Sequence, residues 1–248
     1  ECTGANLMSK QTDLINIPDA ITVSGSNVGI GTSSPSFEAG AGGGLEVNYS
    51  AGLGSHIKLT DSASGAGGSN GFDLYAFNTS GYIENYEAGS IVFRNGGSER
   101  MRIDATGAVT MPAQPAFLVR PSVGQTNLPN GVTTVIFGTE IFDQNSDFAS
   151  NTFTAPVAGK YHLDANLWLE QVDTAINYLY LRLLTSNRNY NDIISPRFSS
   201  DPTYWNFQCS VLADMDAGDT ASVLYSQSGT SAQVDIGDKS FFSGYLVA

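Results

Sequence analysis

The chain is poor in the groups that most enzymes and nucleic-acid binders depend on. Only 14% of its 248 residues are Asp, Glu, Lys or Arg, against about a quarter in ordinary domains. The surface must therefore be built largely from Ser, Thr, Asn, Gln and Gly. Two cysteines, Cys2 and Cys209, exclude a disulfide framework. Two histidines, His56 and His162, leave little material for imidazole catalysis or histidine metal sites. No stretch approaches the ~18 apolar residues a helix needs to cross a bilayer. The first residues, Glu1 to Gly4, carry neither the basic nor the apolar region of a secretory leader. With Glu rather than Met at the start, further chain upstream is expected. Cations are scarce as well: 11 Lys and Arg stand against 24 Asp and Glu, for a net charge of −13. Such a particle is repelled at long range by nucleic acid and anionic membrane. Neither nucleic-acid binding nor membrane insertion is expected.

What is abundant is glycine, 27 residues of it, scattered among short β-branched runs. Gly, Asn and Ser disfavour helix interiors, so the composition predicts an all-β protein. Two hairpin-sized units bracket the N-terminal part. Ile21, Val23, Val28 and Ile30 alternate around a Gly-Ser-Asn turn, and Met101, Ile103, Val109 and Met111 do so around Asp104 and Gly107. A lone two-stranded hairpin is marginal in water, and Gly29 and Gly31 contribute no side chain to a core. Other copies of the chain must supply the missing contacts, as in a narrow threefold β shaft. Between the hairpins lie ten glycines in the 32 positions from Gly40 to Gly71, followed by expected strands Phe72 to Phe77, Tyr82 to Glu84 and Ser90 to Arg94. Leu7, Gln11 and Leu14 place a short helix within Asn6 to Ile17.

Pro112 and Pro115 interrupt any ladder and mark a boundary. The expected organisation is a stub and shaft hairpin over 1–36, a small Gly-rich β domain ending in the second hairpin over 37–112, and a head over 113–248. In the head, Tyr161 to Leu169, Leu179 to Leu183, Trp205 to Ala213 and Phe241 to Val247 all alternate apolar residues with period two. Such runs, separated by Gly, Pro, Asn and Asp, predict two packed sheets. Cys209 shares its phase with Trp205, Phe207 and Val211, so a buried thiol is expected. His162 falls on the outward phase.

The segment Phe142-Asp143, followed by Asn151-Thr152-Phe153-Thr154-Ala155-Pro156-Val157-Ala158-Gly159-Lys160-Tyr161, resembles a signature of the C1q-like domains of the C1q and tumour necrosis factor superfamily. Gly218-Asp219 is similar to that family's turn before the penultimate strand, and Ser240-Phe241-Phe242-Ser243-Gly244-Tyr245-Leu246-Val247 to its closing strand. The resemblance implies a ten-strand jelly roll that assembles as a homotrimer. Asn27 to Pro35 and Ser98 to Asp104 resemble phrases of phage tail-fibre shafts. Together the two resemblances imply a virion tail-fibre protein with a trimeric β shaft, a small β insert and a jelly-roll head. Its partners would be other tail or fibre proteins and a host cell-surface polysaccharide or lipopolysaccharide.

Nothing in the sequence carries the spacing of a catalytic Ser elbow, a Cys/His pair or a phosphate loop. A glycosidase needs two carboxylates in a groove, but such depolymerases sit on long solenoids, and no repeat of 20 to 50 residues is present. A non-enzymatic binding protein is expected. A structural connector, or a bacterial C1q-like coat protein, is the alternative, although the glycines lack the strict Gly-X-Y period of collagen stalks. No cofactor is expected beyond calcium. Asp143, Asn145 and Asp147 have alternating oxygen-ligand spacing, and Asp214, Asp216 and Asp219 form a second acidic loop; the helical calcium hand is excluded because no Gly and no closing Glu follow. For receptor contact, loops on a rigid sandwich are the first place to look. The candidates are Arg188, Tyr190 and Asp192 in one loop, and Arg197, Asp201 and Tyr204 in another.

Overall fold

Alternation of side chains across a strand places residues i and i+2 on one face, and the computed structural model realises that pattern throughout. It describes residues 21–24, 27–30, 35, 37, 44–49, 54–230 and 232–248. The helix expected within Asn6 to Ile17, and Cys2, lie outside the described residues. The chain divides into two units, 1–97 with 101–110 and 98–100 with 111–248. The expected boundary between 36 and 37 falls among residues mostly outside the described set.

In the first unit, β1 (Ile21–Ser24), β2 (Asn27–Ile30) and β3 (Leu45–Val47) form one sheet, and β4 (Ser55–Leu59), β5 (Phe72–Phe77) and β6 (Ser80–Asn85) a second. The next strands are β7 (Ile91–Asn95), β8 (Ser98–Ile103) and β9 (Val109–Thr110). β1 and β2 are the first expected hairpin, with Ile21 opposite Ile30 and Val23 opposite Val28. β8 and β9 form the second, with Ile103 opposite Val109. Its turn is built by Asp104, whose Oδ1 accepts the amides of Thr106 and Ala108 at 2.8 and 3.0 Å. Gly107 supplies the positive φ of +88° that the turn requires.

The second unit contains β10 (Ala116–Arg120), β11 (Gln125–Leu128), β12 (Gly131–Thr134), β13 (Thr139–Asp143), β14 (Phe148–Ala149), β15 (Thr152–Thr154), β16 (Gly159–Glu170), β17 (Ile176–Thr185), β18 (Asn189–Ile194), β19 (Tyr204–Met215), β20 (Thr220–Gly229), β21 (Val234–Ile236) and β22 (Phe241–Leu246). One sheet runs β13-β10-β22-β16-β19 and the other β14-β15-β20-β17-β18. Successive strands switch repeatedly between the sheets, which is the jelly-roll connectivity. The head therefore has the expected jelly-roll sandwich, with thirteen strands rather than ten. The surplus is three short strands: β21 pairs with β16 and β11, and β12 with β20.

Between the sheets sits an aromatic cluster. Phe117 stacks on Phe153 at 4.7 Å and on Phe148 at 5.4 Å, and meets Phe242 edge-on at 5.0 Å. Leu163, Leu167, Leu179, Leu181 and Leu183 fill the space beside them, all fully buried. The one long polar side chain in this core, Gln227, is satisfied at both ends: Oε1 accepts the Tyr225 hydroxyl at 2.9 Å, and Nε2 donates to the carbonyls of Leu128 and Ala232 at 2.6 and 3.0 Å. Gln227→Leu leaves three buried groups without that partner. Since each orphaned group costs about 1–3 kcal/mol, the substitution is expected to lower stability by about 3 kcal/mol. A urea titration reads this as an earlier midpoint at unchanged slope; an unshifted midpoint contradicts the network.

Candidate functional site

The expected receptor residues do not gather into one patch. Arg188 sits at the tip of the β17–β18 hairpin, where the Thr185 hydroxyl both accepts the Arg188 amide and donates to its carbonyl at 3.0 Å. Tyr190 lies opposite Leu183, on the inward phase, and packs against the core. Asp192, opposite Leu181 on the same strand, is exposed. Arg197 and Asp201 follow the far end of β18, and Asp201 Oδ1 is occupied by the Thr174 amide at 2.7 Å. At about 3.3 Å per residue, the ten residues of β17 separate Arg188 from Asp201 by roughly 30 Å. Tyr204 is 58% exposed but belongs to the other sheet, its ring 5.2 Å from that of Trp168. Trp205 turns the opposite way, onto Phe198 and the core. Cys209 holds the inward phase but is half-buried rather than fully enclosed, its thiol 3.9 Å from the Tyr190 carbonyl, and burial pushes the thiol pKa up.

The two acidic loops are likewise committed to protein donors. Both oxygens of Asp143 accept backbone amides, from Asp147 at 3.0 Å and Phe148 at 2.9 Å, and Asn145 donates to the Ala113 carbonyl at 3.2 Å. Burial raises the pKa of Asp147, whose Oδ2 has no hydrogen-bond partner. In the second loop, Lys160 pairs with Asp214 and holds its carboxyl below the ordinary range. Asp219 Oδ2 accepts from Asn187 at 2.6 Å and from the Asp216 amide at 2.8 Å. Among the described residues, no three His, Cys, Asp or Glu side chains stand in a metal-holding group. In the first turn both Asp143 oxygens, and in the second Asp219 Oδ2, are held by hydrogen bonds that a cation would have to displace.

A different site emerges on the outer face of the β18-β17-β20-β12 ladder. Opposite the inward Leu179, Leu181 and Leu183, β17 points Tyr178, Tyr180 and Arg182 outward. Across the strands Tyr180 meets Ser226 and Ile193, Val132 meets Ser226, and Arg182 meets Leu224 and Asn191. Val132, Tyr178, Tyr180, Arg182, Ile193, Leu224, Tyr225 and Ser226 line an open depression of about 330 Å³. The Arg182 guanidinium lies 5.0 Å from the centre of the Tyr180 ring, and its Nε donates to Asn191 Oδ1 at 3.0 Å. Stacking and that hydrogen bond fix the plane of the cation. The signal in the sequence is Tyr178-Leu-Tyr180-Leu-Arg182, the outward phase of a strand whose inward leucines carry the apolar alternation.

The first unit has its own asymmetry. On the sheet β4-β5-β6, one face carries the stacked rings of His56, Tyr75 and Tyr82, each pair 4.6 Å apart. Beside them Asp73, only 3% exposed, holds Oδ2 at 3.4 Å from His56 Nδ1. The Tyr75 hydroxyl donates to Glu84 at 2.8 Å, which pushes its pKa up to about 12. The opposite face is a cross-strand row of Ile57, Leu74 and Ile83, all exposed. His162, on the outward phase of β16 as expected, accepts or donates a 3.1 Å hydrogen bond with Ser210.

No family model matches the sequence, and no curated protein does. Among solved structures, the globular domain of zebrafish complement 1qA protein is similar at 18% identity, over 54% of this chain and 98% of that one, with a TM-score of 0.39. Murine APRIL at pH 8.0 is similar at 12% identity, over 54% and 99%, with a TM-score of 0.41. The jelly-roll assignment rests on the strand order itself.

Proposed function

We propose that this chain is a homotrimeric attachment protein of a phage tail fibre, which uses a jelly-roll head to hold a host surface glycan and performs no catalysis. The observation that carries the trimer is where the core begins. Among the described residues before Phe117, no Leu, Ile, Val, Met or aromatic side chain is fully buried. A protein rarely leaves a continuous apolar row such as Ile57, Leu74 and Ile83 in water unless something covers it. Three copies packed about one axis bury that row and leave the His56, Tyr75 and Lys58 face outside. The head offers a matching surface on its β13-β10-β22-β16-β19 sheet. There Ala116, Tyr245, His162 and Leu212 form one cross-strand row, with Leu212 57% exposed.

The tail-fibre part of this reading is supported by the phrases Asn27 to Pro35 and Ser98 to Asp104. Light scattering of the purified chain is expected to give a particle of three copies, and an antibody against the chain to label fibre tips on virions in electron micrographs. A well-folded monomer sinks the trimer. Unlabelled virions sink the tail-fibre assignment.

A further inference from the structure

Resting on the attachment reading, we propose that the Tyr178–Tyr180–Arg182 groove of the head is its receptor subsite, and that it takes a carboxylate-bearing sugar, a uronic acid unit of an acidic polysaccharide.

Charge gives the first argument. The chain has 24 acidic residues and a net charge of −13, so an anionic ligand meets repulsion over most of the molecule. The groove's face is different. The outward positions of β12, β20, β17 and β18 are Ser, Thr, Asn, Tyr and aliphatic residues with Arg182 among them, without one carboxylate. Arg182 is the lone ionic group there, and among the described residues its terminal amino groups have no carboxylate partner. An unpaired guanidinium held in a fixed plane presents a fork that a carboxylate can engage with two parallel hydrogen bonds.

Shape gives the second. A pyranose ring is amphipathic, with C–H faces and a polar rim of hydroxyls. The groove offers the Tyr178 and Tyr180 rings, the aliphatic walls of Val132 (65% exposed) and Ile193 (58% exposed), and a hydroxyl at Ser226. Tyr supplies rigid contact area at low entropic cost. The volume of about 330 Å³ sits at the small end of ligand sites, enough for a sugar unit of a chain that continues past the open ends. A neutral sugar would leave Arg182 idle, and a bare phosphate would leave the aromatic walls idle. The uronate uses both.

The test is titration of the full-length protein with tri-galacturonate, with the neutral galactose trisaccharide of the same linkage and inorganic phosphate as comparisons, read by calorimetry. Saturable binding of the uronate is expected, with the neutral sugar and phosphate each weaker by about tenfold or more. Arg182→Gln keeps the side chain's length but removes its charge, and should weaken uronate binding by about tenfold, while Tyr180→Ala should weaken both sugars. Arg94→Gln, which removes the same charge from the other unit, should leave binding unchanged. Circular dichroism melts identify any variant that fails to fold, and for Arg182 the milder Arg182→Lys then takes its place. Equal affinity for uronate and neutral sugar, equal binding by Arg182→Gln, or phosphate binding as tight as the uronate overturns the proposal, as does absence of uronate binding. Adsorption of the wild-type protein to host cells is scored separately. Uronate binding without adsorption sinks the attachment reading and leaves the groove standing; adsorption without uronate binding does the reverse.

Discussion

Gly244→Ala is expected to destabilise the head by about 3 kcal/mol, and Gly244→Val to leave it without cooperative unfolding. A Cβ at this position would lie 2.7 Å from Leu163 Cδ2, 2.8 Å from Phe117 Cε1 and 3.1 Å from the His162 carbonyl. The first two atoms cannot swing aside: Leu163 and Phe117 are fully buried, and Phe117 is held among Phe148, Phe153 and Phe242. The third is backbone, hydrogen-bonded within the β16–β22 ladder. Overpacking of a filled core costs about 1–3 kcal/mol per small insertion, and domains have only about 5–15 kcal/mol to lose. Gly107→Ala is the informative comparison, because Gly107 has open space around it and only its φ of +88° to object; its cost is about 1–2 kcal/mol. Denaturant titration of both variants decides the matter. A Gly244→Ala midpoint equal to that of wild type would mean that β10, β16 and β22 do not pack as described.

The same position explains why so much of the head was legible in the sequence. The phrases that resemble the C1q-like family are packing devices, and packing leaves a periodic trace. Phe153 and Tyr161 are buried, the Tyr161 hydroxyl donates to the Val157 carbonyl at 2.8 Å, and two 2.8 Å backbone hydrogen bonds tie Ala155 to the Gly218-Asp219 turn, the Ala155 amide donating to Asp219 and the Gly218 amide to Ala155. A Cβ on Gly159 would meet Leu246 Cδ1 at 2.5 Å, so glycine there marks the closing strand. Less legible is β20, which turns Ala221 and Gln227 inward and Leu224 outward; its alternation is blurred because the core accepts a polar residue whose bonds close internally. The binding surface was hardest to read. Sequence reasoning looked to loops with mixed polar and aromatic residues, but Tyr190 is drawn into the core by strand phase and Asp201 is consumed by a turn. Arg182 was overlooked because it lies inside a strand whose leucines dominate the pattern. Registers of four strands bring Val132, Ser226, Tyr180 and Ile193 into line, and no one-dimensional spacing encodes that.

The second large effect concerns association. On the proposed attachment reading, Ile83→Glu combined with Leu212→Glu is expected to leave monomers in place of the proposed trimer and to lower adsorption to host cells by roughly 10²- to 10⁴-fold, the range that multivalent attachment contributes when its sites engage together. Each substitution places a carboxylate in a cross-strand row that the proposed trimer covers, beside Leu74 in one unit and beside His162 in the other. In the proposed trimer three carboxylates at each row would be brought together out of water, where desolvation and mutual repulsion are strongly unfavourable. The head's own core lies on the inward phase of its strands and does not include Leu212, so the monomeric head should still unfold cooperatively, at a lower temperature than wild type by what association contributed and without concentration dependence. Uronate affinity per chain should also be unchanged, because the Arg182 groove is built from β12, β17, β18 and β20 of one copy. Affinity and avidity thus separate in a single variant: calorimetry reports the intact site, cell adsorption the missing multiplicity. A double variant that still sediments as three chains locates the interface elsewhere, and a monomer that adsorbs as well as wild type removes avidity from the mechanism.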